Sequence, residues 1–183
     1  MNEYVVLVDD NNRQTGLMEK YSAHSSHTPL HRGFSCYVFN PQGKFLLTQR
    51  ALSKKVFPGI WTNSCCGHPA QDEMSENAVK RRLKFELGLI PLQLYSLLPN
   101  FRYSAEMNGI KENEICPVYA ALTESKLAIN PEEVENYRWI SWTEFVKDIA
   151  RNPRGYSAWC VEQVAEIKNN HTIQSLAKGI ALN

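Results

Sequence analysis

Apolar and polar positions follow two different periods along this chain. "YVVLV" (4–8) is a short apolar run that gives way to the polar stretch "DDNNRQTG", the pattern of a strand entering a turn. "FSCYVFNPQGKFLLTQR" (34–50) holds two β-rich runs around Asn40-Pro41-Gln42-Gly43. Proline second and glycine fourth suit a type I turn, so this segment is predicted to be a hairpin. In "SENAVKRRLKFELG" (75–88) the period changes: Val79, Leu83 and Leu87 form a helical stripe. Ser75 is the predicted cap of that helix, Glu76 suits its first turn and Gly88 stops it. "EICPVYAAL" (114–122) and "YRWI" (137–140) are predicted strands, and "SWTE" (141–144) matches a capping box that opens a short helix. Ser157 is predicted to cap another helix, carrying Trp159, Val164 and Ile167. Strands and helices interleave and hairpins occur, so the expected class is α/β (α+β), with a mixed sheet between helices.

Composition narrows the picture without naming a chemistry. The 183 residues fit one domain, residues 1–183, with no repeat or linker to divide it. Hydrophobic residues at 43% and charged residues at 21% are ordinary for a soluble globular chain. A net charge of +1 offers no basic field for nucleic acid and no acidic tail for a basic partner. No apolar run approaches the roughly 18 residues of a membrane span, and the first residues lack the basic start and apolar stretch of a signal peptide. Five cysteines are an odd count, unlike a small secreted disulfide framework. The expectation is a cytoplasmic protein with no nucleic-acid, membrane or obligate protein partner.

Three groups of residues carry possible chemistry. Glu112 and Glu114, two apart in a predicted strand, share one face. In isolation such a pair is as readily a solvated strand edge. The apolar residues that follow place it at the mouth of a core, where two carboxylates need a cation or proton between them. His24, His31 and His68 lie near predicted loop or strand ends and can complete a site suited to Mn²⁺ or Zn²⁺, with Mg²⁺ also admissible. Cys65 and Cys66 are adjacent, which suits neither the spacing of structural zinc sites nor disulfide geometry. In an extended segment one thiol faces the core and the other a pocket. The third group is basic: Arg50, Lys54, Lys55, Arg81, Arg82 and Lys84 are either a solvated face or a seat for phosphate. Trp61, Tyr103 and Trp159 are core residues by default.

Gly67, Glu73, Arg81, Leu83, Glu86, Gly88 and Leu89 reproduce the spacing of the Nudix box, although Arg82 and Phe85 stand where that box has glutamates. More broadly, "LMEKYSAHSSHTPLHRGFS", "QRALSKKVFPGIWTNSCCGHP", "FRYSA", "ENEICPV" and "YSAW" resemble the bacterial type I isopentenyl-diphosphate isomerases, from about residue 15 to 165. The resemblance implies a Nudix-like core over about residues 31–163, with an N-terminal extension over residues 1–30 contributing to the site. It also implies interconversion of isopentenyl and dimethylallyl diphosphate by protonation and deprotonation. Cys66 is then the catalytic thiol and Glu114 the opposing acid/base group, with Tyr103 hydrogen-bonded to Glu114. Trp159 faces the carbocation and Trp61 is a pocket wall. His24, His31, His68, Glu112 and Glu114 are the implied ligands of one Mn²⁺, Mg²⁺ or Zn²⁺. Glu86 is implied to anchor a Mg²⁺ that arrives with the diphosphate, and Lys20, Arg50, Lys54 and Arg82 to contact the diphosphate. The alternatives are a Nudix pyrophosphohydrolase and a binding protein without turnover.

Overall fold

The computed structural model describes residues 3–182. The chain begins with β1 (Tyr4–Val8), β2 (Gln14–Glu19), α1 (Lys20–Ala23), β3 (His31–Arg32), β4 (Phe34–Phe39) and β5 (Lys44–Arg50). It continues through β6 (Trp61–Thr62), β7 (Cys65–Gly67), α2 (Ser75–Leu87), β8 (Gln93–Leu98), β9 (Arg102–Met107) and β10 (Ile110–Ile115). Then follow β11 (Val118–Leu122), β12 (Val134–Ser141), α3 (Trp142–Arg151), α4 (Ala158–Ile167) and α5 (His171–Leu176).

The expected hairpin forms: β4 and β5 are antiparallel with Phe39 opposite Phe45, and Gly43 N–H closes the turn onto Asn40 O at 2.9 Å. These strands lie in the middle of a seven-stranded mixed sheet ordered β12-β5-β4-β11-β8, with β6 on β5 and β7 on β4. Every residue of β4 is buried because both faces of this sheet are covered. Phe34, Cys36, Val38 and Leu46 meet Val79, Leu83 and Leu87 of α2 on one side. Tyr37, Phe39, Phe45 and Leu47 meet Trp142, Phe145, Val164, Ile167 and Ile173 from α3, α4 and α5 on the other. The mixed sheet between helices is therefore present, but it is accompanied by a second, five-stranded sheet ordered β2-β1-β3-β10-β9.

That second sheet overturns the single strand predicted over 114–122. Pro117 has no N–H for a ladder, so pairing stops at Ile115 and resumes at Val118 in the other sheet. Two predicted caps also differ. Met74, not Ser75, holds the cap position of α2 and contributes no side-chain bond. Ser157 does stand at the start of α4, but its hydroxyl bonds Thr62 Oγ1 at 2.8 Å instead of capping. Ser141 caps α3 as expected, accepting from Glu144 N. Gly88 ends α2 at φ 69°, with Leu89 N–H bonding Leu83 O and Gly88 N–H bonding Lys84 O, both at 3.1 Å. No helix among the described residues is long and apolar enough to cross a membrane.

Leu83 joins the stripe of α2 to the central sheet and is 1% exposed. Leu83→Ala is expected to lower the free energy of unfolding by about 2–5 kcal/mol, read from urea denaturation. A loss under about 1 kcal/mol would show that α2 is not held by this contact.

Candidate active site

A cavity of about 880 Å³ opens where the two sheets meet, with Cys66, His68, Tyr103, Glu112, Glu114 and Trp159 in its lining. Glu112 and Glu114 alternate with Asn113 on β10, so both carboxylates project from one face, as the spacing predicted, and both are buried. His31 reaches them because β3 pairs in parallel with β10, setting His31 beside Glu114. His24 follows α1, and His68 follows β7.

The three imidazoles cluster with ring centroids 5.0, 5.5 and 5.1 Å apart. His24 Nε2 is 3.0 Å from Glu112 Oε2, and His68 Nε2 is 3.1 Å from Glu114 Oε1. His31 Nδ1–H donates to Pro29 O at 2.9 Å, and His24 Nδ1–H to Lys20 O at 2.5 Å. Carbonyl oxygens only accept, so in the neutral rings the Nε2 lone pairs point at carboxylates. Lone pair against carboxylate is repulsive without a cation or proton between them. His31 Nε2 makes the point alone: it is buried without a hydrogen-bond partner, 3.5 Å from Glu114 Oε1 and 3.8 Å from Glu112 Oε2.

Electrostatics follow from this crowding. Burial opposes charge on His24 and His31, yet Glu112 and Glu114 beside them raise both above the ordinary histidine value. Burial instead dominates at His68, which falls to about 4 despite Glu114. Burial also works against ionising Glu114, but His31 and His68 hold it below the usual carboxylate range. Donor atoms of His24, His31, His68 and Glu112 all lie within 4.8 Å of one another, a group able to hold a metal ion. The fit is good in chemistry as well as spacing: two of the three imidazoles, His24 and His31, are already oriented by backbone carbonyls, and carboxylates lie beside all three, as a divalent ion requires.

The two cysteines separate as an extended segment dictates. Cys65 packs with Cys36, Val79 and Leu83, whereas Cys66 lines the cavity. The Cys66 thiol donates to Asn63 Oδ1 at 3.0 Å, and Ser35 Oγ is 3.6 Å away. Burial pushes this thiol up to about 11, against the pull of Ser35, Arg50 and Asn63. Trp159 stands over the same space, with Phe57 edge-on at 5.1 Å and Tyr103 at 5.5 Å between ring centroids. Tyr103 and Glu114 are direct cross-strand partners, but no side-chain hydrogen bond joins them among the described residues. The expected bond is absent, and Glu114 Oε1 instead meets His68 Nε2 at 3.1 Å and His31 Nε2 at 3.5 Å. Trp61 does not line the cavity, and its ring instead lies under the Arg138 guanidinium at 4.5 Å.

Lys20, Arg50, Lys54 and Arg82 are brought together at the cavity, each already occupied, whereas Lys84 is not in its lining. Arg82 is buried and bonds Glu86 at 2.8 Å, Glu133 at 2.9 Å and Glu3 at 3.2 Å. Lys54 pairs with Glu133, and Lys20 with Glu3. Arg50 donates to Phe57 O at 2.9 Å and Val56 O at 2.8 Å, its guanidinium 5.9 Å from the Trp159 ring. Burial opposes ionisation of Glu133, but Lys54 and Arg82 hold it down to about 2. Sequence reasoning missed Glu133, which lies in a polar turn after Asn130, and Asn63, which lies just ahead of the cysteine pair. Only tertiary contact gives either a role.

A family model for the NUDIX domain matches residues 29–160. By fold, the chain resembles a Deinococcus radiodurans protein (TM-score 0.68, 19% identity, 89% of this chain and 98% of that one). It also resembles a MutT protein of Methanosarcina mazei (TM-score 0.54, 19% identity, 65% and 82%). In sequence it is 46% identical over 178 residues to the isopentenyl-diphosphate Delta-isomerase of Citrobacter koseri, covering 97% of this chain and 98% of that one. It is 48% identical over 165 residues to the protein of the same name from Salmonella paratyphi B, covering 90% and 91%. The chain therefore belongs to the NUDIX family and, within it, to the isopentenyl-diphosphate Delta-isomerases.

Gly33 makes room for the acidic pair: a Cβ there would sit 2.0 Å from Glu114 Oε2. Gly33→Ala must swing that carboxylate away, and it is expected to weaken Mn²⁺ binding at least about 10-fold, measured by titration calorimetry on a folded variant. Unchanged affinity would show that the Glu114 carboxylate does not support the metal group.

Proposed function

We propose that this protein interconverts isopentenyl diphosphate and dimethylallyl diphosphate, with Cys66 and Glu114 as the two proton-handling groups. The observation that carries the reading is their placement: a thiol from the seven-stranded sheet and a carboxylate from the five-stranded sheet line one cavity. The reaction adds a proton to one end of an allyl unit and removes one from the other, so two groups must approach the substrate. The intermediate is a tertiary carbocation, which water would capture, and a largely apolar wall of Val56, Tyr103 and Trp159 limits water. The Trp159 face stabilises such a cation by about 0.5–2 kcal/mol. Tyr103, opposite Glu114, adds a second ring to that wall.

His24, His31, His68, Glu112 and Glu114 would hold one divalent ion, Mn²⁺, Mg²⁺ or Zn²⁺. Bound there, it would fix Glu114 in place and bias its proton affinity. Lys20, Arg50, Lys54 and Arg82 would seat the diphosphate, with Lys20, Lys54 and Arg82 exchanging for it the contacts they now make to Glu3 and Glu133. Glu86, which bonds Arg82, is the carboxylate we assign to a Mg²⁺ accompanying the diphosphate. Arg82 suits this reading better than phosphate hydrolysis, since it puts a buried cation where the hydrolytic box has a glutamate. The whole chain acts as one unit, with His24 and Lys20 of the first 30 residues completing a core that the NUDIX match begins at residue 29. Its five free cysteines suit a reducing cytoplasm.

The direct test is proton NMR with isopentenyl diphosphate and Mg²⁺ in D₂O, followed by a phosphate assay on the same sample. Rearrangement with deuterium uptake and no phosphate release is expected, and phosphate release without rearrangement would establish a hydrolase instead. Cys66→Ala is expected to abolish rearrangement with the fold intact, while Cys65→Ala affects stability alone. Near-normal turnover in Cys66→Ala would remove the thiol from the mechanism. Exhaustive chelation is expected to abolish activity, with Mn²⁺ or Mg²⁺ restoring it, and full activity in metal-free protein would refute the metal assignment.

A further inference from the structure

Asn63 is fully buried in the short link between β6 and β7. Its amide nitrogen donates to Cys65 O at 2.9 Å and to Cys36 O at 3.1 Å. Both acceptors are carbonyl oxygens, so the side chain cannot flip without losing both bonds. Its Oδ1 is thereby turned the other way, where three donors converge on it. They are the Thr62 hydroxyl at 2.9 Å, the Cys66 thiol at 3.0 Å and the Trp159 indole N–H at 3.1 Å. An indole N–H only donates, which fixes the same orientation a second time.

We propose that Asn63 is a positioning residue for the isomerisation, its single carbonyl oxygen holding both the Cys66 sulfur and the Trp159 ring in register across the substrate. The proposal rests on the functional reading above. A cysteine side chain on its own has one free torsion and only a weak donor. The other neighbour that bonds the thiol, Ser35 Oγ, is farther away at 3.6 Å. Sharing one acceptor ties the proton carrier to the cation-facing ring. The anchor is itself held from both sides. Thr62 Oγ1 meets Ser157 Oγ at 2.8 Å, and Ser157 N–H donates to Trp61 O at 2.9 Å, which locks the start of α4 to β6. A misplacement of about 1 Å in such a constellation can cost about 100-fold in rate, so the benefit lies in rate and not in substrate affinity.

Two measurements test this. In Asn63→Ala, kcat is expected to fall about 100-fold with KM close to that of the parent, because none of the diphosphate contacts involves Asn63. An unchanged kcat in the folded variant would overturn the proposal, as would a loss confined to KM. Asn63→Ala also strips partners from buried groups, so the second measurement leaves Asn63 in place and needs no turnover. In Cys66→Ala, the Trp159 indole N–H proton is expected to move downfield, because one donor has left the oxygen it shares. The indole of Trp142, which bonds Lys168 O at 3.1 Å, serves as the fixed reference. A Trp159 resonance that does not move would overturn the shared acceptor whatever reaction the enzyme performs. A moved resonance in Cys66→Ala, where the parent protein fails to rearrange isopentenyl diphosphate, would place the failure in the functional reading alone.

Discussion

Two carboxylates buried side by side cannot both stay ionised unless positive charge is brought to them, and much of this molecule is arranged to bring it. Glu112 and Glu114 share a face of β10 because of the two-residue period of a strand. Burying either without compensation would cost several kcal/mol. The donors able to hold a balancing cation come from three separate parts of the chain: His24 after α1, His31 on β3 and His68 after β7. β3 is only two residues long, yet it bridges β1 and β10 and sets His31 beside Glu114. Loss of charge balance here would unsettle the five-stranded sheet as well as the site.

The same rule operates with the sign reversed on the other charged part of the cavity. Arg82 is buried on α2, and Glu3, Glu86 and Glu133 gather round it from three parts of the chain. Lys54 and Lys20 join through Glu133 and Glu3. One cavity thus carries a cluster that wants a cation and a cluster that tolerates an anion. A thiol and aromatic rings lie among the same lining residues. A ligand with an anionic head and a short apolar tail matches that distribution better than a uniformly polar one. Glu3, with its side chain 52% exposed, is the carboxylate whose contacts an incoming anion exchanges at least cost.

What was legible in the sequence was mainly what neighbours decide. The hairpin at Asn40–Gly43, the stripe and stop of α2, the cap at Ser141 and the shared face of Glu112 and Glu114 all follow from residues a few places apart. The opposite facing of Cys65 and Cys66 followed in the same way. What was not legible depends on partners distant in the chain. Ser157 has the right position for a cap, but Thr62 claims its hydroxyl. Cys116-Pro117 lies inside an apolar run, and only the presence of a second sheet explains why the strand changes partners there. Trp61 is expected as a pocket wall only within the isomerase resemblance, and Arg138, brought alongside by β12, covers its ring. Asn63 and Glu133 look like turn residues until the groups they bond are folded against them.

The burial of the sulfurs has a consequence for chemical labelling. Cys36, Cys65, Cys116 and Cys160 are buried, and only Cys66 is partly accessible and faces the cavity. Burial raises the pKa of all five thiols, so none is a ready nucleophile in the folded state. Discrimination among them is therefore a matter of access and not of acidity. An electrophile carried on an anionic head enters where one sulfur waits, while a neutral reagent in bulk solvent finds none at the outer surface. A chain with five cysteines thus behaves toward a cavity-directed probe as though it had one.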